Sequence, residues 1–284
     1  MENPPPPMAP SGPPPPRRGR GSWWGLGAFL ALLAGKLKFF LPVLKFLPLV
    51  LKTGGSMLLM IGVYTLMFGW KFAVGFVLLI FVHEIGHVLA AQRCGVRVSA
   101  PFFIPFFGAL IMLKELPRNA WTEARIAIGG PLLGAVAAGA CHALHVATGH
   151  PLLLVLAYFG YWLNLFNLAP VGFFDGGRIV SAISPWMWLV GFSGLGTLLV
   201  WRFRDSDSVG SFLEHNFILL IVLFFALPRI FWLFGSRKSP EQLRYFEVTG
   251  GQRTTMAVLY FGLAGLLAAG MFATKVAITA LDLR

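Results

Sequence analysis

The stretch His83-Glu84-Ile85-Gly86-His87 lies inside an apolar run that extends from Val74 to Ala91. On a helix, His83 and His87 stand four residues apart on one face, so both imidazoles can bind one metal ion. Glu84 lies beside them and can take a proton from a metal-bound water. Ionisable side chains inside a membrane span are costly and are seldom without a function. The stretch therefore predicts a buried metal site with a hydrolytic mechanism.

The composition is that of a membrane protein rather than of a soluble domain. Mean hydropathy is +0.74, and hydrophobic residues make up 57% of the chain against 12% for charged residues. The net charge of +12 does not indicate nucleic-acid binding, because the basic residues gather at the ends of apolar segments. We therefore expect an all-α polytopic membrane protein that contacts the lipid bilayer and binds no nucleic acid.

Apolar segments of helical length predict about seven transmembrane helices. They cover residues 56–70, 72–93, 123–147, 151–169, 179–201, 212–234 and 255–280. Between the second and third, residues 94–121 are too broken to span a membrane and too apolar to be a plain loop. Irregular backbone is tolerated at membrane depth only beside protein or a water-filled cavity. This connection therefore predicts a re-entrant hairpin beside a polar site.

The third predicted helix has two local signals near its start. Thr122 is expected to be its N-cap. Gly130-Pro131 is expected to interrupt its first turns, and Gly130 with Gly134 offers small residues at the spacing that allows close helix packing.

The chain divides by composition into three regions. Residues 1–22 hold two runs of four prolines and an Arg-rich end, which predicts a disordered cytoplasmic tail. In residues 23–52, lysines and prolines punctuate apolar residues, which favours an amphipathic segment lying on the membrane surface over a full span. Residues 53–284 are expected to form the transmembrane domain.

The basic residues predict the orientation of the predicted helices. With a cytoplasmic N-terminus, seven spans place 18 of the 23 Lys and Arg residues on the cytoplasmic side and 5 outside. This orientation also places His87 and Asp175 towards the cytoplasmic side, at the ends of neighbouring helices. The two side chains are therefore expected to meet.

Asp175 is the candidate for the third ligand that a catalytic zinc requires. The other three aspartates, Asp205, Asp207 and Asp282, fall outside or at the terminus in this topology. Gly176 and Gly177 follow Asp175 and would let its carboxylate approach a metal. The alternative is an aspartate that makes only local hydrogen bonds in a turn.

Together these motifs resemble those of the site-2 protease family, which comprises intramembrane zinc metalloproteases. The resemblance rests on His83 to His87, on the Gly130-Pro131 break, and on Asn167-Leu168-Ala169-Pro170 leading to Asp175-Gly176-Gly177. It covers about residues 56–180 and implies a three-helix catalytic core, here about residues 72–180. The chain resembles members without an inserted PDZ or CBS domain. It departs from the family pattern at Gly172, where proline is frequent, and at Phe174, where leucine is usual.

The resemblance implies one Zn²⁺ per chain, held by His83, His87 and Asp175, with Glu84 as the catalytic base. It also assigns substrate binding to Asn167, whose amide can steady the peptide or the oxyanion. Its alternative is a helix-packing hydrogen bond, the role expected for Asn164 one turn earlier. The implied activity is an intramembrane zinc endopeptidase that cuts a single-pass membrane protein near the cytoplasmic side. Such regulated intramembrane proteolysis would take place in a bacterial cytoplasmic membrane.

Two other classes compete with the protease. A divalent-metal transporter can use the same ligands, but it should have ligands at several depths and perhaps internal repeats. A non-catalytic membrane scaffold should have lost Glu84 or a ligand, whereas this chain retains all of them.

Overall fold

Helices make up almost all of the regular structure. A computed structural model describes residues 53–106, 108–172, 174–206, 208–235 and 239–282. The tail predicted for residues 1–22 and the surface segment predicted for residues 23–52 lie outside the described residues. The described helices are α1 (Thr53–Phe68), α2 (Trp70–Arg93), α3 (Ala120–Thr148), α4 (Pro151–Asn167), α5 (Asp175–Ile183), α6 (Met187–Arg204), α7 (Val209–Phe234), α8 (Pro240–Tyr245) and α9 (Gly250–Asp282).

Four of these helices, α2, α3, α7 and α9, are long and apolar enough to cross a membrane. The helices α1 and α4 are apolar but shorter. The predicted class, a helical integral membrane protein, is confirmed. The count of about seven spans stays a prediction.

The apolar segment predicted as one helix over residues 179–201 is two helices. Ser184 has an extended backbone (φ −162°, ψ 125°) and ends α5, and α6 begins at Met187. Pro185 explains the break, because its ring disfavours helical backbone at the preceding residue. The helix also begins earlier than residue 179, where the predicted span starts, since Asp175, Gly176 and Gly177 form the first turn of α5.

The helices α2 and α3 pack closely through small residues. A Cβ atom on Gly86 would lie 2.2 Å from the carbonyl oxygen of Gly129, and one on Gly129 would lie 2.5 Å from that of Gly86. The prediction of an interruption at Gly130-Pro131 is wrong, because α3 continues through Pro131. The N-cap is Asn119, whose Oδ1 accepts from the Thr122 N–H at 2.9 Å; Thr122 is not the cap.

A short antiparallel hairpin occupies the connection between α2 and α3. Its strands are β1 (Phe102–Ile104) and β2 (Gly108–Leu110). The Phe103 N–H donates to Ser56 Oγ at 3.3 Å, and the Phe106 N–H donates to the Tyr64 hydroxyl at 3.2 Å. Both acceptors belong to α1, so that helix fixes the hairpin beside α2. The predicted hairpin is therefore present.

We expect Gly86→Ala to destabilise the fold by about 1–3 kcal/mol, because the methyl group meets backbone atoms of α3 that cannot rotate away. Thermal melting in detergent measures the loss. Gly62→Ala in α1 is the matched control, since a Cβ there meets nothing within 4 Å. Equal melting temperatures for the two variants would show that α2 and α3 are not held at this distance.

Candidate metal centre

Three buried side chains converge at one point between α2 and α5. His87 Nε2 lies 3.1 Å from His83 Nε2 and 3.1 Å from Asp175 Oδ2, and His83 Nε2 lies 3.2 Å from the same oxygen. All three residues are at most 8% exposed. The structure thus brings together the residues that the sequence predicted as a ligand set. Among the described residues they form the one group of His, Cys, Asp and Glu placed to share a metal ion.

Hydrogen bonds to the far side of each imidazole determine which nitrogen faces this point. His83 Nδ1 lies 2.8 Å from Asn164 Oδ1, and His87 Nδ1 lies 2.9 Å from the carbonyl oxygen of Ile126. Both partners are acceptors, because the Asn164 amide nitrogen donates to the Gly160 carbonyl at 2.7 Å. Each histidine therefore carries its proton on Nδ1 and directs the Nε2 lone pair inwards.

The donor set fits a zinc ion. Two lone-pair nitrogens and a carboxylate oxygen so close together repel one another unless a cation lies between them. In a tetrahedral site with bonds of 2.0–2.2 Å, neighbouring ligand atoms are about 3.3 to 3.6 Å apart, slightly more than in this structure. The three observed distances are 3.1 to 3.2 Å. Two nitrogens and one oxygen also leave a fourth position for water, as catalytic zinc sites do.

Glycines of α3 keep the space around the imidazoles open. A Cβ atom on Gly130 would lie 2.2 Å from His87 Nε2 and 2.8 Å from His83 Nε2. A Cβ atom on Gly134 would lie 2.1 Å from Asn164 Oδ1. The small residues predicted to allow close helix packing therefore also leave room for the histidine Nε2 atoms and for the Asn164 side chain.

Asn164 has a larger role than sequence reasoning gave it. Packing was the expected role, whereas its side chain is the hydrogen-bond partner that orients His83. The one hint in the sequence was a polar residue in a largely apolar helix, which does not show which partner its side chain meets. Partners of this kind orient metal-ligating histidines in general.

Glu84 and Asn167 both line a cavity of about 510 Å³ that opens beside the three converging side chains. Glu84 is 6% exposed, and Asn167 is partly buried at the end of α4. Within the described part of the chain, the side-chain amide of Asn167 has no hydrogen-bond partner. The rest of the wall is mainly apolar and includes Phe68, Phe72, Phe76, Phe106, Phe159, Trp162, Phe166 and Phe174.

The part of the chain that holds the two histidines is similar to a known family of peptidases. Residues 71–150 match the profile of peptidase family M50. This match supports the resemblance to site-2 proteases. The matched M50 residues include His83, Glu84 and His87 and end before Asp175.

Zinc metalloproteases are among the relatives of this chain. A zinc metalloprotease of Methanocaldococcus jannaschii is 35% identical over 119 residues, which are 39% of this chain and 34% of that protein. A probable chloroplastic zinc metalloprotease of Arabidopsis thaliana is 28% identical over 180 residues, 46% of this chain and 32% of that protein. The chain thus spans about a third of the length of these relatives.

A solved structure, the site-2 protease of Methanocaldococcus jannaschii, is 24% identical to this chain. The alignment covers 66% of this chain and 89% of that one, with a TM-score of 0.42.

We expect Gly130→Ala to lower bound zinc from about one ion per chain to almost none, because the methyl group would occupy the space beside both Nε2 atoms. Elemental analysis of detergent-purified protein after loading with zinc measures this. Gly139→Ala on the same helix is the control, since a Cβ there meets only the Tyr161 hydroxyl at 3.7 Å. Full zinc occupancy in Gly130→Ala would contradict the placement of the ion.

Proposed function

We propose that this protein is an intramembrane zinc endopeptidase that hydrolyses a peptide bond of a single-pass membrane protein near the cytoplasmic side. The observation that carries the proposal is the convergence of His83 Nε2, His87 Nε2 and Asp175 Oδ2 within 3.2 Å, at an apolar cavity also lined by Glu84. The M50 match and the zinc metalloproteases among the relatives support the same chemistry.

His83, His87 and Asp175 would hold the ion. Zinc bound there supplies a Lewis acid that activates water and polarises a carbonyl group. Glu84 follows His83 in the chain and lines the same cavity, so its carboxylate can accept a proton from the attacking water. The same carboxylic acid then returns the proton to the nitrogen of the leaving amine. Glu84 is thus proposed as the general base and then the general acid.

The cavity wall suits a peptide in an extended conformation. Strand β2 pairs with β1 on one side, and residues 108–111 line the cavity. In the described part of the hairpin, the other edge of β2 keeps backbone groups with which an unwound peptide can pair as an added strand. The amide of Asn167 supports a contact to the peptide backbone or to the developing oxyanion. The aromatic wall accommodates the apolar side chains of a former membrane helix.

The cytoplasmic N-terminus and the bacterial cytoplasmic membrane are part of this proposal. The concentration of Lys and Arg on one side of the predicted spans supports the orientation. A single-pass substrate is supported by the position of the cavity beside helices long and apolar enough to cross a membrane, since an apolar segment could enter it from the bilayer. Divalent-metal transport is less favoured, because the described residues bring potential ligands together at one place only.

We expect Glu84→Gln to lower the rate of peptide cleavage by about 10²–10⁴-fold, because the amide cannot accept the proton from water. Zinc content should stay at the wild-type level, since Glu84 is not among the three converging donors. The assay uses zinc-loaded protein in detergent with fluorescently labelled casein, an unfolded chain that needs no helix unwinding. A single-pass model helix in proteoliposomes is the second substrate.

Leu89→Ala serves as the control for that assay, because it lies five residues along the same helix and is 40% exposed. The Leu89→Ala variant should cleave both substrates at the wild-type rate. Cleavage by Glu84→Gln at the wild-type rate would contradict the role of the glutamate. Zinc-loaded wild type that cleaves neither substrate would contradict the proposed activity.

A further inference from the structure

The two carboxylate oxygens of Asp175 face different partners. Oδ2 lies 3.1 to 3.2 Å from both histidine Nε2 atoms. Oδ1 lies 3.6 Å from Nη1 of Arg178, one turn further along α5. A carboxylate whose second oxygen is engaged in this way presents one oxygen to a metal. The orientation of Asp175 therefore depends on where the Arg178 guanidinium is held.

Glu123 of α3 holds that guanidinium. Arg178 Nε donates to Glu123 Oε1 at 3.2 Å, and the two side chains are 20% and 17% exposed. Partial burial reduces solvent screening of this pair relative to an ion pair on the surface. Arg178 thus contacts two carboxylates at once, and its planar guanidinium offers N–H donors in fixed directions to both.

The second oxygen of Glu123 is occupied as well. The Tyr245 hydroxyl, at the end of α8, donates to Glu123 Oε2. Burial, and next the neighbouring Glu123 carboxylate, raise the pKa of Tyr245 above its ordinary value, so the phenol keeps its proton and remains a donor. Both Glu123 oxygens are therefore fixed, one by α5 and one by α8.

Helix α9 also holds the backbone on both sides of α5. Arg253 of α9 donates to the Ile183 carbonyl at 2.6 Å, where α5 ends. The Tyr260 hydroxyl donates to the Leu168 carbonyl at 2.6 Å, just after α4. These contacts hold α5 as a rigid unit against which the Arg178 side chain can be oriented.

Granted the zinc site proposed above, we infer that Glu123 is a positioning residue for the ligand Asp175. It holds Arg178 against Oδ1, so that Oδ2 alone faces the two histidines. Without the Glu123 charge, the Arg178 guanidinium is free to turn into the cavity that it lines. The Asp175 carboxylate can then rotate away or present both oxygens. The competing explanation is that the Glu123–Arg178 pair only ties α3 to α5.

The test compares zinc affinity in wild type and Glu123→Gln, a change that keeps the size of the side chain but removes its charge and one of its two acceptor oxygens. We expect zinc affinity, measured in detergent by competition with a chromophoric chelator, to fall by at least about tenfold, as for other partners of metal ligands. The visible absorption of the Co²⁺-loaded protein should also change, because it reports how the carboxylate coordinates. The melting temperature of the metal-free protein should change little.

Glu115→Gln is the matched control. Glu115 forms an ion pair with Arg97 at 2.6 Å, but those side chains are 52% and 80% exposed and lie outside the cavity wall. Its zinc affinity and Co²⁺ spectrum should equal those of wild type. Tyr245→Phe removes only the hydroxyl that holds Glu123, so it should weaken zinc binding in the same direction as Glu123→Gln but less. It also keeps the test decisive if Glu123→Gln fails to fold.

Wild-type zinc affinity and an unchanged Co²⁺ spectrum in Glu123→Gln, with a lower melting temperature, would overturn the positioning role and leave a structural tie between helices. The proposed function is not affected by that result, because wild type would still bind zinc and cleave. If wild type itself binds no zinc, the proposed function fails, and the positioning role fails with it.

Discussion

Burying two imidazoles and a carboxylate within 3.2 Å of one another, among apolar helices, is the constraint on which the rest of the structure depends. Each of these groups loses the hydrogen bonds that water would give it, and an unpartnered polar group at such a place costs several kcal/mol. The protein meets this cost by giving the outer side of each group a fixed partner. Asn164 and the Ile126 carbonyl accept hydrogen bonds from the histidines, and Arg178 forms an ion pair with the aspartate.

Close helix packing makes those partners reachable. Gly86, Gly129, Gly130 and Gly134 stand where a Cβ atom would lie within about 2.6 Å of a neighbouring atom, so α3 can approach both α2 and α4. The same approach brings backbone and side-chain acceptors of α3 and α4 to the Nδ1 atoms of the histidines. The last described helices, α8 and α9, add Tyr245, Arg253 and Tyr260 around α5. The geometry of the site therefore depends directly on how closely these helices pack.

The sequence predicts the site better than it predicts the packing around it. His83, Glu84 and His87 follow from helical spacing, and the meeting with Asp175 follows from the number of spans and the bias of basic residues. The role of Asn164 could not be predicted, because which face of α4 turns towards α2 depends on how the helices pack. The prediction of a single helix over residues 179–201 was wrong, because it rested on the length of the apolar segment, whereas the helix breaks at Pro185. The metal-binding roles of His83, His87 and Asp175 and the roles of Glu84 and Asn167 stay proposals.

Zinc content of the wild-type protein and of Asp175→Ala, both purified in detergent after zinc loading, tests the central claim most directly. About one zinc ion per chain in wild type, lost or strongly weakened in the variant, is the predicted result, because two histidines alone leave a catalytic site one ligand short. Full retention of zinc in Asp175→Ala would contradict the three-ligand site, and a zinc-free wild type would contradict the metal centre itself.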